Sequence, residues 1–150
     1  MRRATSLLVG IVAVVAVASA LASPTAPIRS TKTTTLTAFL TVNQSLPAPT
    51  KGARGSGKFT ATVTGRTIKW RITFSRMTGP VVAAHIHSAL AGRANPAPAV
   101  SLCGPCASGK TGTATASAAV LKKILGGATY VNLHTAKNAG GEIRGQIASS

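Results

Sequence analysis

Acidic residues are all but missing from this chain. One of its 150 residues is Asp or Glu, against 17 Lys and Arg, for a formal net charge of +16. Glycosidases and aspartic proteases work with two carboxylates, so both chemistries are excluded, as is a calcium site built from acidic side chains. The single acid, Glu142, is also all that a Ser/His/acid triad could use. Aromatic residues are scarce too, at 3%. With the basic residues scattered, this argues against stacking on nucleic-acid bases, although so positive a field draws polyanions. No repeat is evident, no glycine loop of the phosphate-cradling kind opens a helix, and nothing supports an α/β cofactor-binding layout.

Cysteine is limited to Cys103-Gly-Pro-Cys106, which has the letters of the thioredoxin redox tetrad. That chemistry requires the first cysteine at a helix N-terminus in a βαβ unit, whereas Ala-Ser-Gly-Lys-Thr-Gly follows here and cannot start a helix. In an exported protein the pair reads as a small disulfide clamping a turn. Its loop is too short to stabilise much through chain entropy. Reduced, the two thiols would be soft ligands for Cu(I).

What is present begins with a leader. Arg2 and Arg3, an apolar run over residues 7–18 and Ala20-Leu21-Ala22 are the three parts of a secretory signal peptide, expected over residues 1–22. The run is short for a bilayer, so no transmembrane segment is expected after processing. Cleavage would leave a charge of +14 and a secreted or cell-wall-associated product. Residues 23–34 read as a Pro/Ser/Thr/Lys linker, and one domain is expected over 35–150.

Within that domain apolar residues alternate. Strands are expected at 35–41, 57–64, 66–75, 81–87, 99–102 and 113–116, with Trp70 and the phenylalanines of the second and third strands in the core. Ser117 reads as the N-cap of a helix over 118–125, and Gly126 as its C′ residue. Residues 130–147, Tyr-Val-Asn-Leu-His-Thr-Ala-Lys-Asn-Ala-Gly-Gly-Glu-Ile-Arg-Gly-Gln-Ile, read as a hairpin. A register that puts Leu133 with Ile143 and Ile147 on one face places His134 across from Glu142, or one pair away. Short strands at regular spacing with almost no helix indicate a β-sandwich or barrel.

Val81-Val-Ala-Ala-His-Ile-His87, Tyr130-Val-Asn-Leu-His-Thr135 and Gly141-Glu-Ile-Arg-Gly-Gln146, in that order after Gly55-Ser-Gly57 and Gly79-Pro80, resemble the CHRD (chordin-type) domain of bacterial secreted proteins. The resemblance covers residues 36–147. Ser45-Leu46-Pro47 stands where the family tends to carry Glu-Val-Pro, and Ser88 where a glycine usually follows the second histidine. The resemblance implies an extracellular, immunoglobulin-like (Greek-key) β-sandwich with a poorly defined role.

All three histidines of the chain fall in these motifs. His85 and His87 project from one face of a strand, about 7 Å apart, and can converge on an ion. With His134 they would offer three imidazoles and an open position, which suits copper or zinc, copper being favoured by affinity. Glu142 would stand behind His134 and fix its tautomer. The same histidines serve equally well as hydrogen-bonded polar positions of an exposed face, with Glu142 in a surface ion pair with Arg144 or a lysine. The leading expectation is therefore a secreted binding module with a transition-metal site and no enzymatic activity. A second is a structural or adhesive surface protein holding anionic wall polymers or an extracellular protein through Arg54, Lys58, Arg66, Lys69, Arg71, Arg76, Lys122 and Lys123. A third is an oxidoreductase similar to superoxide dismutases, from which the chain departs in having no fourth histidine and no Asp.

Overall fold

A computed structural model of the chain describes residues 32–150, so the expected leader and nearly all of the linker lie outside the described residues. The strands are β1 (Thr33–Thr41), β2 (Ser56–Thr64), β3 (Thr67–Ser75), β4 (Val81–His87), β5 (Pro98–Cys103), β6 (Thr111–Thr115), β7 (Tyr130–Thr135), β8 (Asn138–Gln146) and β9 (Ala148–Ser149). One α-helix, α1 (Ala118–Leu125), precedes β7, and a 3-10 turn (Val42–Gln44) follows β1. The expected all-β fold with one short helix is what forms. Strand edges differ from the sequence reading by a residue or two.

Alternation decides which way each strand faces. Leu36, Ala38 and Leu40 of β1, Phe59, Ala61 and Val63 of β2, and Ile68, Trp70 and Ile72 of β3 are buried, while Thr, Lys and Arg fill the positions between them. The strands join into one antiparallel path, β5-β4-β7-β8-β1-β2-β3-β6, with β9 added beside β1. The path curls until its two end strands, β5 and β6, approach each other, which nearly closes a barrel around these residues and Ile86, Val131, Leu133 and Ile143. At β8 the closure depends on Gly145, because a Cβ there would collide with the Phe39 carbonyl on β1.

Helix α1 starts where the Ser117 hydroxyl accepts from Val120 N at 3.2 Å and buries Leu121 and Ile124 against the barrel. Gly126 is its C-cap, and the left-handed residue is Gly127 (φ 71°), one position later than expected. Cys103 and Cys106 form the expected disulfide. Cys106 N donates to Val81 O at 3.0 Å, so the clamp ties the end of β5 to the start of β4. A turn and then β6 follow it, in place of the helix that a thioredoxin-type site requires.

Candidate metal centre

The strand order answers what alternation alone could not: β4 and β7 are neighbours. His85 pairs with Asn132 and His87 with Tyr130, while His134 lies across from Ala83. All three imidazoles therefore rise from one small area of the sheet, on the side facing away from Ile86, Val131 and Leu133. Each histidine offers one ligand atom, and the three atoms lie within 4.8 Å of one another. His85 Nδ1 and His134 Nε2 are 3.3 Å apart. Two metal–nitrogen bonds of about 2.0–2.1 Å at a tetrahedral angle span roughly 3.3 Å, so this edge of a coordination tetrahedron is already set. The widest separation must shorten by roughly 0.7 Å or more for a metal to bind all three, since even opposed bonds reach only about 4.1 Å.

Two tautomers are fixed by backbone carbonyls. His87 Nδ1 donates to Asn95 O and His134 Nδ1 to Ala139 O, each at 2.9 Å. Both residues thus present Nε2 as a bare lone pair, the form that takes a metal. In the metal-free arrangement His85 Nδ1 must then donate to His134 Nε2. His87 Nε2 is buried and has no partner of any kind. Such an orphan costs about 1–3 kcal/mol unless something fills its place. The pKa values of His85 and His87 lie below the ordinary 6.5, first because burial disfavours the imidazolium and then because His134 stands close. At neutral pH both are in the uncharged, ligating form.

The face is polar but covered. His87 and Tyr130 are 2% exposed, Asn132 3% and Arg144 2%, because the loops around residues 43–50 and 88–97 close over them. Tyr130 stacks on His87 (centroids 5.1 Å apart, planes 9° off parallel), and the Arg144 guanidinium lies 3.5 Å over the ring of the same Tyr130. The Tyr130 hydroxyl donates to Asn95 O at 3.0 Å, the carbonyl that also receives His87 Nδ1. A cleft of about 300 Å³ leads to the site between Leu46, Pro47, Pro96, Asn132 and Gly140. Tyr130, Asn95 and Arg144 are the site residues that sequence reasoning passed over.

Glu142 is the correction. It is fully buried and accepts from Thr78 N (2.7 Å), Thr78 Oγ1 (2.5 Å), Thr135 Oγ1 (2.7 Å) and Asn138 Nδ2 (2.9 Å), and neither His134 nor Arg144 is among its partners. The reason is a bulge. Pairing runs from Leu133 with Ile143 to Thr135 with Asn138, a slip of three residues in β8 that breaks alternation opposite His134. Gly141 absorbs the slip at φ 117°, where a Cβ would strike the Asn132 side chain. The Ala139 carbonyl takes the place beside His134 that the sequence assigned to the carboxylate.

The profile of the CHRD domain matches residues 36–147 of this chain. The chain belongs to the CHRD domain family. The match takes in β1 from Leu36 onward, all of β2 to β8, and both histidine motifs. No curated protein and no solved structure matches it. Within this CHRD barrel the three histidines could hold a metal ion, and no helix among the described residues is long and apolar enough to cross a membrane.

Proposed function

We propose that this CHRD domain is an extracellular binding module that carries one transition-metal ion, copper in preference to zinc, on His85, His87 and His134. The observation that carries the reading is the convergence of three imidazole nitrogens within 4.8 Å, with the Nε2 atoms of His87 and His134 freed by carbonyl-bound Nδ1 groups. Neutral imidazoles suit both Cu²⁺ and Zn²⁺, and copper binds such nitrogen sets more tightly. The leader motif at residues 1–22, with the family's usual location, supports export to the cell surface or beyond.

The test is a competitive titration of the untagged protein with Cu²⁺ and Zn²⁺ against a chelator of known strength. One equivalent of Cu²⁺ is expected, with three-nitrogen hyperfine structure in its electron paramagnetic resonance spectrum. Binding of Cu²⁺ by His134→Ala as tight as by the parent would remove the reading.

A second reading rests on a different face. On the outer side of β2, β3 and β6, Lys69 and Arg71 stand exposed among Thr60, Thr62, Thr111 and Thr113, around a depression of about 490 Å³, and the exposed Lys58 lies farther along β2 beside Thr60 and Arg71. No acidic side chain opposes them, because the only one in the chain is buried. Such a face suits an anionic wall polymer. Linear polyphosphate is expected to bind, with affinity falling steeply as salt rises and unchanged by chelators. The double variant Lys69→Glu/Arg71→Glu should weaken this at least tenfold at low salt; an unchanged affinity would move the polymer elsewhere on the surface.

A further inference from the structure

Arg144 is a buried cation without an anion. Its Nη2 reaches Leu90 O at 3.3 Å and Gln146 Oε1 at 3.4 Å, both beyond the usual N–H···O range, and its Nη1 has no partner at all. The only carboxylate side chain in the protein cannot help, since Glu142 is held by Thr78, Thr135 and Asn138. Tyr130 offers the face of its ring to the guanidinium and nothing to the edge from which the N–H groups point. Buried charges in proteins are otherwise paired, because an unpaired one carries a desolvation cost of several kcal/mol.

Beside this guanidinium is a cleft of about 320 Å³, lined by Arg144 together with Asn43, Gln44, Leu46, Ala91 and Gly92. No other charged side chain lines it. Ser45, which sits between two lining residues, is itself buried with an unpartnered hydroxyl. The place thus combines a forked donor with a short apolar wall. It is separate from the histidine cleft: the two share only Leu46.

We propose that the Arg144 cleft binds a small aliphatic carboxylate, whose two oxygens take the under-satisfied Nη1/Nη2 edge of the guanidinium while its chain lies against Leu46 and Ala91. A planar carboxylate matches the guanidinium fork, and its single negative charge neutralises the single cation present. A dianionic phosphate would leave one charge uncompensated in a site with no second cation. Because Nη1 is buried, the segment at residues 90–92 has to move outward as the ligand arrives.

Butyrate is the probe. Added to the full-length domain, it is expected to give saturable, one-to-one shifts at the backbone amides of Gly92 and Gln146 in nuclear magnetic resonance spectra, with inorganic phosphate at least tenfold weaker. Arg144→Gln should abolish these shifts. Arg144→Lys keeps the charge and loses the fork, so butyrate binding should weaken about tenfold; this variant decides the matter if Arg144→Gln does not fold. Absence of a saturable shift in the parent, or parental affinity in Arg144→Lys, overturns the site. Phosphate binding as tight as butyrate overturns its assignment to carboxylates. None of these readouts depends on metal, so failure of the metal reading leaves the outcome intact.

Discussion

Replacing Glu142 by glutamine is expected to destabilise the fold by about 3 kcal/mol, although the change is isosteric. The carboxylate accepts four hydrogen bonds and has no exposed surface. Two of its donors, Thr78 N and Asn138 Nδ2, cannot turn into acceptors, so an amide NH₂ introduced there meets at least one N–H head-on. The effect also carries a pH signature. Burial alone would raise the pKa of Glu142, but the hydrogen bonds from Thr78, Thr135 and Asn138 outweigh it and hold the group below its ordinary 4.5. A carboxyl depressed in the folded state contributes stability that is complete above 4.5 and is lost as pH falls through the folded value. His85 and His87, depressed from 6.5, contribute in the same sense, but in a window that opens below 6.5. Urea unfolding from pH 8 down to pH 3 should therefore show two descending limbs in the parent. In Glu142→Gln the upper limb should remain and the lower one flatten. An undiminished loss below pH 4.5 would show that the carboxylate is not what acid attacks.

The same carboxylate shows where a sequence stops being legible. The strands could be read because Phe59, Ala61 and Val63, or Ile68, Trp70 and Ile72, repeat at a period of two against threonines and cations. The common face of His85 and His87 followed from the same rule. Glu142 did not, because a single bulge undoes alternation, and its one local sign, Gly140-Gly141, reads equally well as a turn. Arg144 was placed on an outer face, correctly as to direction. Two loops then fold over that face, and loop placement is a tertiary fact without a periodic signal. The length and proline content of residues 43–50 and 88–97 were the available hint that something lay beneath them. The adjacency of β4 and β7, on which the histidine cluster depends, is likewise a matter of strand order and has no signature in local sequence.

The indirect hold of Glu142 on the metal centre follows from the corrected geometry. It ties Thr78, three residues ahead of β4, to Thr135 and Asn138 on the two sides of the β7–β8 turn, and the next residue of β8 supplies the Ala139 carbonyl that orients His134. Orientation of the histidine therefore passes through a backbone carbonyl whose place the carboxylate fixes.

His87 provides the sharpest separation between a metal ligand and a structural histidine, and the substitution to use is His87→Phe. The six-membered ring is somewhat larger than imidazole but keeps the stack on Tyr130 and can grow toward the centre of the histidine cluster, and the one hydrogen bond lost, Nδ1 to Asn95 O, leaves that carbonyl still satisfied by the Tyr130 hydroxyl. The orphaned Nε2 disappears with the imidazole, which relieves an unmet polar group rather than creating one. Metal-free His87→Phe is therefore expected to be as stable as the parent to within about 1 kcal/mol, and more stable if the relief outweighs the lost bond. Its Cu²⁺ affinity should fall by about 100-fold or more, since one of three nitrogens is gone and a phenyl ring occupies the vacated corner. A histidine retained only to tie β4 to the loop at Asn95 predicts the reverse: clear loss of stability and no change in metal binding. Thermal unfolding with and without one equivalent of Cu²⁺ reads both quantities in one experiment, because an ion that binds only the folded state raises the midpoint in proportion to the logarithm of its affinity. A midpoint shift in the parent that vanishes in His87→Phe, at equal metal-free stability, assigns the residue to the metal.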